Sequence, residues 1–182
     1  MKNKDAEKFK KRYMESVFIK ADWLFDIGYS KLAYKLYSCL ADEGHEDSLN
    51  RMGDLFLSGN GIKKDANKAI IFYKKAIKKG NALAMYNAAF VYKNVLKEYK
   101  SALYYLRNAQ KSSDLYVSAL AYIEEAEMYL KGIGVKRNLS KARKLLHVVY
   151  DDDTFFYIIS EDYRDKIEKM FIDITCIEHN LS

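Results

Sequence analysis

The residues that could do chemistry are few and scattered along the chain. The three histidines lie far apart, and no H-E-x-x-H motif places two of them on one helix face; they are His45, His147 and His179. No G-x-S-x-G motif marks a serine nucleophile. His45 directly follows a glycine that should end a helix, so we interpret it as a solvated turn residue.

One acidic cluster is formed by Glu124, Glu125 and Glu127. Paired carboxyl groups of this kind can serve as a general acid and a general base in catalysis. No histidine or metal ligand accompanies it in sequence, and on a helix these side chains form an acidic, solvated face. We therefore expect no catalytic residue, no metal site and no cofactor. Non-enzymatic binding is the favoured interpretation, and an enzyme is kept as a third class of function.

Two glycine loops are the remaining candidate sites. They are Gly59–Ile62 and Gly132–Val135, which share the G-x-G pattern and lie 73 positions apart. A nucleotide-binding loop would need a third glycine and a preceding strand, and the sequence has neither. Glycine instead permits the positive φ that ends a helix, and Asp65 and Asn138 stand where the next helix needs an N-cap. The loops are therefore predicted to be hinges of helical hairpins.

Helical hairpins of about 36 residues account for most of the chain. Apolar residues recur at steps of three and four, and small residues return at equivalent positions, as in Ala33 and Ala69. The prediction is an all-α fold: a right-handed α-solenoid of about four helix-turn-helix repeats with a C-terminal capping helix. Its predicted segments, all within one domain, are an N-terminal hairpin (1–44), a repeat (45–80), a degenerate repeat (81–113), a repeat (114–152) and a cap (153–182).

The two ends of the chain have distinct predicted roles. The first helix is expected over about Ala6–Phe25, with one buried stripe that includes Phe9 and Tyr13. The last segment, Phe155–Ile177, does not follow the repeat and is expected to break near Ser160. Because a stack of hairpins needs its last apolar face covered, this segment is the predicted cap.

At the two glycine loops the sequence resembles the Sel1-like repeat family, a tetratricopeptide-type helical repeat. The second hairpin matches or conservatively replaces the family pattern at Ser48, Met52, Gly53, Phe56, Gly59, Gly61, Ile62, Asp65, Lys68, Ala69, Tyr73, Lys75, Ala76 and Gly80. The fourth hairpin matches at Ala126, Tyr129, Gly132, Gly134, Val135, Lys141 and Ala142. The resemblance implies an adaptor or scaffold whose first helices line a concave binding surface. Some secreted members of the family are linked to β-lactam binding and carry a cysteine pair in each repeat. This chain lacks those pairs and a signal peptide, which argues against that branch.

Compartment and partners follow from composition. The chain has only two cysteines, Cys39 and Cys176, which we interpret as buried thiols of a reducing compartment. It has no secretory signal and no apolar run long enough to span a membrane, so a cytoplasmic location is expected. The net charge is +6, and many of the lysines lie on the predicted outer helix of the second hairpin. Nucleic-acid binding through that helix is an alternative function, although the scarcity of arginine there disfavours it.

The favoured function is binding of a protein partner in the concave groove, by a chain that is monomeric when free. Two roles are considered, a general scaffold and a dedicated inhibitor such as a bacterial immunity protein that neutralises a toxin domain. Besides the residues predicted to be buried, the first helix of each hairpin carries aromatic or apolar residues next to charged ones. This composition is expected of an interface core with a polar rim. The predicted partner-binding residues are Asn50, Arg51, Asp54, Tyr86, Asn87, Phe90, Ile123, Glu124 and Glu127.

Overall fold

A computed structural model describes residues 2–179 of the chain and the side chains of residues 4–179. Within this part the chain forms ten α-helices and no strand, so the predicted all-α fold is confirmed. Two compact units are present, residues 1–84 (unit 1) and 85–182 (unit 2). The division into one solenoid domain stays a prediction, and each unit is described separately. Met1 and residues 180–182 of the predicted cap lie outside the described residues.

Unit 1 consists of two helical hairpins, close to the bounds that the sequence predicted. Its helices are α1 (Lys2–Asp26), α2 (Ser30–Asp42), α3 (Glu46–Ser58) and α4 (Ala66–Lys78). Small residues on the facing sides, such as Ala33 and Ala69, have no exposed surface, which lets the helices approach closely. The backbone N–H of Lys68 donates to Asp65 Oδ1 at 3.0 Å, so the predicted N-cap of α4 is confirmed.

The loop between α3 and α4 needs glycine for two separate reasons. Gly59 ends α3 in the left-handed conformation, with φ +84°. Gly61 has φ +77° and also lies against the start of α2, where a Cβ would stand 3.1 Å from Lys31 N. The loop is thus a hinge between α3 and α4 that also packs on the preceding hairpin. Both features agree with its prediction as a structural loop.

Unit 2 contains two further hairpins and the C-terminal segment. Its helices are α5 (Leu83–Asn94), which begins at the boundary, α6 (Tyr99–Ala109), α7 (Leu115–Lys131), α8 (Leu139–Tyr150), α9 (Asp153–Ile158) and α10 (Glu161–Glu178). The predicted break near Ser160 is the gap between α9 and α10. Asn138 caps α8, since its Oδ1 accepts from Lys141 N at 2.9 Å.

The C-terminal segment packs as a cap on the last hairpin of unit 2. Ile167, Met170 and Ile174 of α10 are buried in one cluster with apolar residues of α7 and α8. Ile159, in the break between α9 and α10, is buried in the same cluster. The predicted capping role is therefore confirmed by its packing.

The N-terminal helix corrects one prediction. Phe9 and Tyr13, expected in the buried stripe, are 73 % and 62 % exposed, and every residue from 4 to 13 is exposed. The reason is length: α1 has 25 residues whereas α2 has 13, so at 1.5 Å per residue the first half of α1 extends beyond its hairpin partner. Only the second half, with Ala21 and Leu24, has a buried face.

Two small predictions about single residues are also wrong. Cys39 is exposed and Cys176 is half-buried, so neither thiol is a core residue. Cys39 precedes Leu40, the α2 residue that does enter the core, and therefore points to another face of the helix. His45 is the N-cap of α3 rather than a solvated turn residue: its Nδ1 accepts from Ser48 N at 3.3 Å, and its ring packs on Phe18.

Candidate partner-binding surfaces

Two of the three predicted site residues of unit 1, Arg51 and Asp54, lie in an ion-pair network on α3. The guanidinium of Arg51 forms a fork on Asp22 of α1, with Nε 3.1 Å from Oδ1 and a terminal nitrogen 3.4 Å from Oδ2. The other terminal nitrogen lies 3.8 Å from Asp54 Oδ2. Two-point contact fixes the plane of an arginine side chain. Arg51 is thus held in one orientation while nearly half of its side chain stays exposed.

Two buried tyrosines support these carboxylates from below. The hydroxyl of Tyr37 donates to Asp22, and the hydroxyl of Tyr73 donates to Asp54 Oδ1 at 2.8 Å. Burial raises the pKa of both tyrosines, and the neighbouring carboxylates raise it further, so they remain hydroxyl donors. Burial also raises the pKa of Asp54. The hydrogen bond from Tyr73 and the charge of Arg51 lower that pKa, but they offset the effect of burial only in part.

A small cavity opens beside this network, and we call it the unit-1 pocket. It has a volume of about 160 Å³ and is lined by Phe25, Tyr37, Arg51, Asp54, Leu55, Ser58 and Asn60. Sites for small molecules usually measure about 300–1,000 Å³. The unit-1 pocket instead suits one side chain, with an apolar floor for its stem and charged groups for its tip.

Asn50, the third predicted site residue of unit 1, does not reach this surface. It is 5 % exposed, so its predicted exposure is wrong. The reason is that α3 packs against both α2 and α4, which buries the consecutive residues Ser48, Leu49 and Asn50. The remaining open face of α3 is a narrow strip through Arg51 and Asp54.

The predicted acidic residues of unit 2 lie in a second network, and it is internal. Glu124 accepts from Lys93 Nζ of α5 at 2.6 Å and from Lys166 Nζ of α10 at 2.9 Å. Glu127 lies 3.1 Å from each of these two amines and 2.5 Å from Lys131 Nζ. The two carboxylates are largely buried, and the side chain of Lys93 is only 8 % exposed. We call these five residues the unit-2 ion network.

The charges of the unit-2 ion network stabilise one another. Burial raises the pKa of Glu127, but the hydrogen bond from Lys131 and the charges of Lys166 and Lys93 outweigh it and lower the pKa to about 2. Burial likewise lowers the pKa of Lys166, and the two glutamates reverse this and raise it. Glu127 and Lys166 are therefore both charged at neutral pH, and Lys166 belongs to the cap helix α10.

Glu125, the third member of the acidic cluster, points to the opposite side of α7. It is 2 % exposed and receives hydrogen bonds from Arg107 Nε at 3.0 Å and from Gln110 Nε2 at 2.7 Å. The interpretation of Glu124, Glu125 and Glu127 as a solvated acidic face is therefore wrong. Their side chains are buried because α7 is packed on several sides, and basic residues from neighbouring helices compensate the charge.

Ile123 is a further correction on α7. It has no exposed surface and belongs to the core cluster of unit 2, so its predicted exposure is wrong. The physical reason is the cap: residues of α10 occupy the space beside α7 that the sequence analysis left open. The remaining predicted residues are Tyr86 and Asn87, both half-buried, and Phe90, which is 44 % exposed. Tyr86 is hydrogen-bonded to Tyr163 of the cap.

The structure adds residues that the sequence reasoning missed. Phe25 of α1 lines the unit-1 pocket, and Asp22 of α1 holds Arg51 beside it. Lys93 and Lys166 complete the unit-2 ion network. A usable signal existed for the second pair, since acidic residues on an otherwise apolar helix need a counter-charge. No local signal existed for Asp22, because its partner lies 29 positions away.

Comparison with known families agrees with the glycine loops. Residues 30–45, 46–81 and 119–147 match the Sel1 repeat. These three stretches, which together make up just under half of the chain, are similar to the Sel1 repeat. A 64-residue stretch is also 38 % identical to chitin synthase regulatory factor 3 of Schizosaccharomyces pombe, and it covers 35 % of this chain and 7 % of that protein.

Solved structures support the same fold. A Sel1 repeat protein from Oxalobacter formigenes matches with a TM-score of 0.59 and 22 % identity, over 76 % of this chain and 58 % of its own. A protective antigen of uropathogenic Escherichia coli with an SLR fold has a TM-score of 0.47, 18 % identity and coverage of 86 % and 44 %. An immunity protein of Pseudomonas aeruginosa has a TM-score of 0.37, 18 % identity and coverage of 89 % and 82 %. The first match shows the repeat fold, and we draw no conclusion from the other two.

The lysine-rich outer face lies on α4 of the Sel1 repeat at 46–81. Its lysines are exposed, and two of them lie over aromatic rings: Lys68 is 5.5 Å from the centre of Phe56, and Lys75 is 5.1 Å from that of Phe72. Between residues 2 and 179, no helix has the length and apolar character needed to cross a bilayer. Among the same residues, no group of histidine, cysteine and acidic side chains could hold a metal ion.

Proposed function

We propose that this chain is a non-enzymatic protein-binding module. The observation that carries the proposal is the unit-1 pocket, in which a half-exposed, firmly oriented Arg51 lies beside an apolar floor on the first helix of a Sel1 repeat. Sel1 repeat proteins generally mediate protein–protein interactions, and a pocket of this size accepts one anchor side chain. The chemistry of the pocket indicates what that anchor is.

The anchor that fits the unit-1 pocket is a basic side chain of the partner. Two carboxylates, Asp22 and Asp54, stand against one guanidinium, so the network carries an excess of negative charge. Burial is the main cause of the raised pKa of Asp54, and a cation bound beside it would favour its charged form. A lysine or arginine could lay its apolar stem on Phe25 and Leu55 and place its charged end at Asp54.

The anchor hypothesis is tested by Asp54→Asn. Asparagine keeps an oxygen to accept from Tyr73 but removes the charge, so the fold should survive. We expect affinity for the partner to fall at least tenfold, the loss typical of one charged contact at an interface. The measurement is quantitative affinity capture from the native cell, followed by titration of the captured protein. Unchanged affinity would show that the pocket is not the binding site.

Arg51 itself is a poor position for charge reversal. A glutamate there would stand against Asp22 and Asp54 and would destabilise unit 1 by like-charge repulsion. For unit 2 the cleaner change is Phe90→Asp, because this ring is exposed and lies outside the unit-2 ion network. We expect that variant to fold and to lose partner affinity if α5 contributes to the interface.

The control is the double variant Lys74→Glu with Lys78→Glu on the outer face of α4. Both residues are exposed, and we expect no loss of the protein partner. The nucleic-acid alternative predicts the opposite, namely binding of a labelled oligonucleotide that weakens steeply with salt and disappears in this variant. If only the control variant loses its ligand, the lysine-rich face is the working surface.

Within this proposal we keep both roles considered for the module, a general scaffold and a dedicated inhibitor such as an immunity protein. Co-expression with the product of the neighbouring gene separates them, because an inhibitor restores growth that a toxin domain arrests. A cytoplasmic site of action belongs to the same proposal. It is supported by the free thiols of Cys39 and Cys176, which persist in reducing compartments.

A further inference from the structure

The first helix carries an apolar face that unit 1 does not use. Five large side chains on α1 and its end are exposed, and we call them the α1 stripe: Phe9, Tyr13, Ile19, Trp23 and Ile27. At about 100° per residue they fall within an arc of roughly 120° on one side of the helix. Trp23, the only tryptophan of the chain, is 58 % exposed on this face. Scattered exposed apolar residues need no explanation, but a continuous stripe of this length does.

The first half of α1 also lacks the packing that normally stabilises a helix. Every residue from 4 to 13 is exposed, and Lys10 pairs with Glu43 in an ion pair that is itself exposed. A helical stretch of this length is marginal in water unless an apolar face is buried against something. Phe9 and Tyr13 provide such a face. The helix therefore needs an occupant on the α1 stripe.

We propose that this occupant is α1 of a second copy of the same chain, packed antiparallel to the first. The arrangement goes beyond the proposed binding function, since it concerns a different face of unit 1. It also replaces the expectation that the chain is monomeric when free.

The apolar residues are spaced for such a pair. Phe9 and Trp23 lie seven positions on either side of Ser16, and Tyr13 and Ile19 lie three positions on either side. A two-fold axis at Ser16 would therefore place Phe9 of one copy opposite Trp23 of the other, and Tyr13 opposite Ile19. Ser16 is small and exposed, which allows the helices to approach at the centre.

Charge favours the antiparallel direction. Residues 4–12 contain five basic and two acidic side chains, whereas residues 13–26 contain one basic and three acidic ones. In an antiparallel pair the basic half of each helix faces the acidic half of the other, and a parallel pair would set like charges together. Within this pattern Lys8 comes near Asp26 of the second copy, whereas Arg12 lies opposite Lys20.

The buried area is sufficient for a reversible dimer. Fully buried aromatic side chains cover about 150–250 Å² each. Three half-exposed aromatic residues and two half-exposed isoleucines therefore offer at most roughly 500 Å² per copy. Two copies would then bury on the order of 1,000 Å², the lower limit of specific interfaces, and we expect a dissociation constant in the micromolar range.

Trp23 gives a direct test on the full chain. We expect light scattering to show a dimer at high concentration, with Trp23 emission shifting to longer wavelength as the protein is diluted into the monomer. Phe9→Lys should raise the dissociation constant at least tenfold while leaving Trp23 in place as the probe. Its circular dichroism should match that of the unchanged chain diluted to the monomer, which shows that the rest of the fold is intact. Tyr157→Lys, at an exposed aromatic residue of unit 2, is the matched control and should leave the dimer intact.

A charge exchange tests the direction of the pair. The single variants Lys8→Glu and Asp26→Lys should each dimerise more weakly than the unchanged chain. Mixing the two should restore dimers, because both contacts then join opposite charges. A monomeric mass at all concentrations up to about 100 μM would overturn the proposal, since a micromolar constant predicts dimers there. A dimer that survives Phe9→Lys, or a mixture that fails to recover, would overturn it equally.

Discussion

At the scale of single residues, close approach of helices explains positions that sequence patterns describe only as small. Gly53 lies inside α3, where an added Cβ would overlap the ring of Tyr73. Tyr73 cannot move easily, because it has no exposed surface and its hydroxyl is bound to Asp54. Gly53 is thus part of the same construction that shapes the unit-1 pocket.

Gly53→Ala should therefore destabilise the protein, although alanine normally favours a helix by about 0.5–1 kcal/mol over glycine. We expect a net loss of about 1–3 kcal/mol in the free energy of unfolding, the usual cost of overpacking a core. Urea denaturation measures it. In the background of Tyr73→Leu the same change should cost less, since the obstructing ring is gone; equal costs in both backgrounds would show that the ring is not the cause.

Gly61 combines positive φ with close approach, and these two costs can be separated. Gly28 has φ +90° and nothing within 4 Å of an added Cβ. Gly28→Ala should therefore lower the free energy of unfolding only through the strained backbone conformation. Gly61→Ala has the same backbone strain, and its added Cβ would also press on Ser30 and Lys31. We expect Gly28→Ala to cost about 1 kcal/mol and Gly61→Ala clearly more, by thermal or urea denaturation. Equal losses would mean that the loop yields freely.

At the scale of helices, the unit-2 ion network joins α5, α7 and α10 through buried charges. Two carboxylates and three amines interact there, and the largely buried Lys93, Glu124 and Glu127 have been removed from water at a cost. Such a network stabilises the fold only while its members keep their charges. The stability of unit 2 should therefore depend on pH through Glu127.

The direction of this dependence follows from the pKa of Glu127, which folding lowers from 4.5 to about 2. A carboxyl group with a lowered pKa contributes stability that is complete above its unfolded pKa and is lost as the pH falls towards its folded one. The urea midpoint should thus decrease between about pH 4.5 and pH 2. In Glu127→Gln we expect a lower midpoint at pH 7 and a weaker decrease across this window.

The control for this pH dependence is Glu178→Gln. Glu178 pairs with Arg143 at the exposed end of α10, and exposed ion pairs contribute at most about 1 kcal/mol. Its midpoint should stay near that of the unchanged chain at pH 7. If Glu127→Gln keeps the full decrease between pH 4.5 and pH 2, other carboxyl groups govern the acid response.

At the scale of the whole molecule, periodic and local signals predicted well, and contacts between distant segments did not. The helices, the caps at Asp65 and Asn138 and the break at Ser160 depend on neighbours within a few positions, so the sequence was enough. Which face of a helix is open depends on what packs there.

The candidate site shows the same limit. Ile123 was assigned to an open surface because a repeat pattern cannot tell that the cap returns to cover α7. Phe9 was assigned to the core because its spacing is helical, yet α2 is too short to reach it. Arg51, Asp54 and Phe90 were placed on accessible surface, but the counter-charge from Asp22 could come only from the folded chain.

The cap provides the prediction that belongs to the whole chain. Ile167, Met170 and Ile174 bury one side of α7 and α8, and Lys166 neutralises Glu124 and Glu127. Removing residues 155–182 would expose that apolar surface and leave the two buried carboxylates with fewer partners. Both effects act in the same direction, since terminal repeats require a polar outer face and buried charge requires compensation.

We therefore expect the shortened chain to aggregate, or to bind a hydrophobic dye and unfold without a sharp transition. The point variant Ile167→Ala keeps the cap and removes only part of its apolar contact, so it should stay soluble and lose about 2–5 kcal/mol. Light scattering and thermal melts followed by circular dichroism distinguish the two. A truncated chain that is soluble and melts as sharply as the full one would show that α9 and α10 lie on unit 2 without stabilising it.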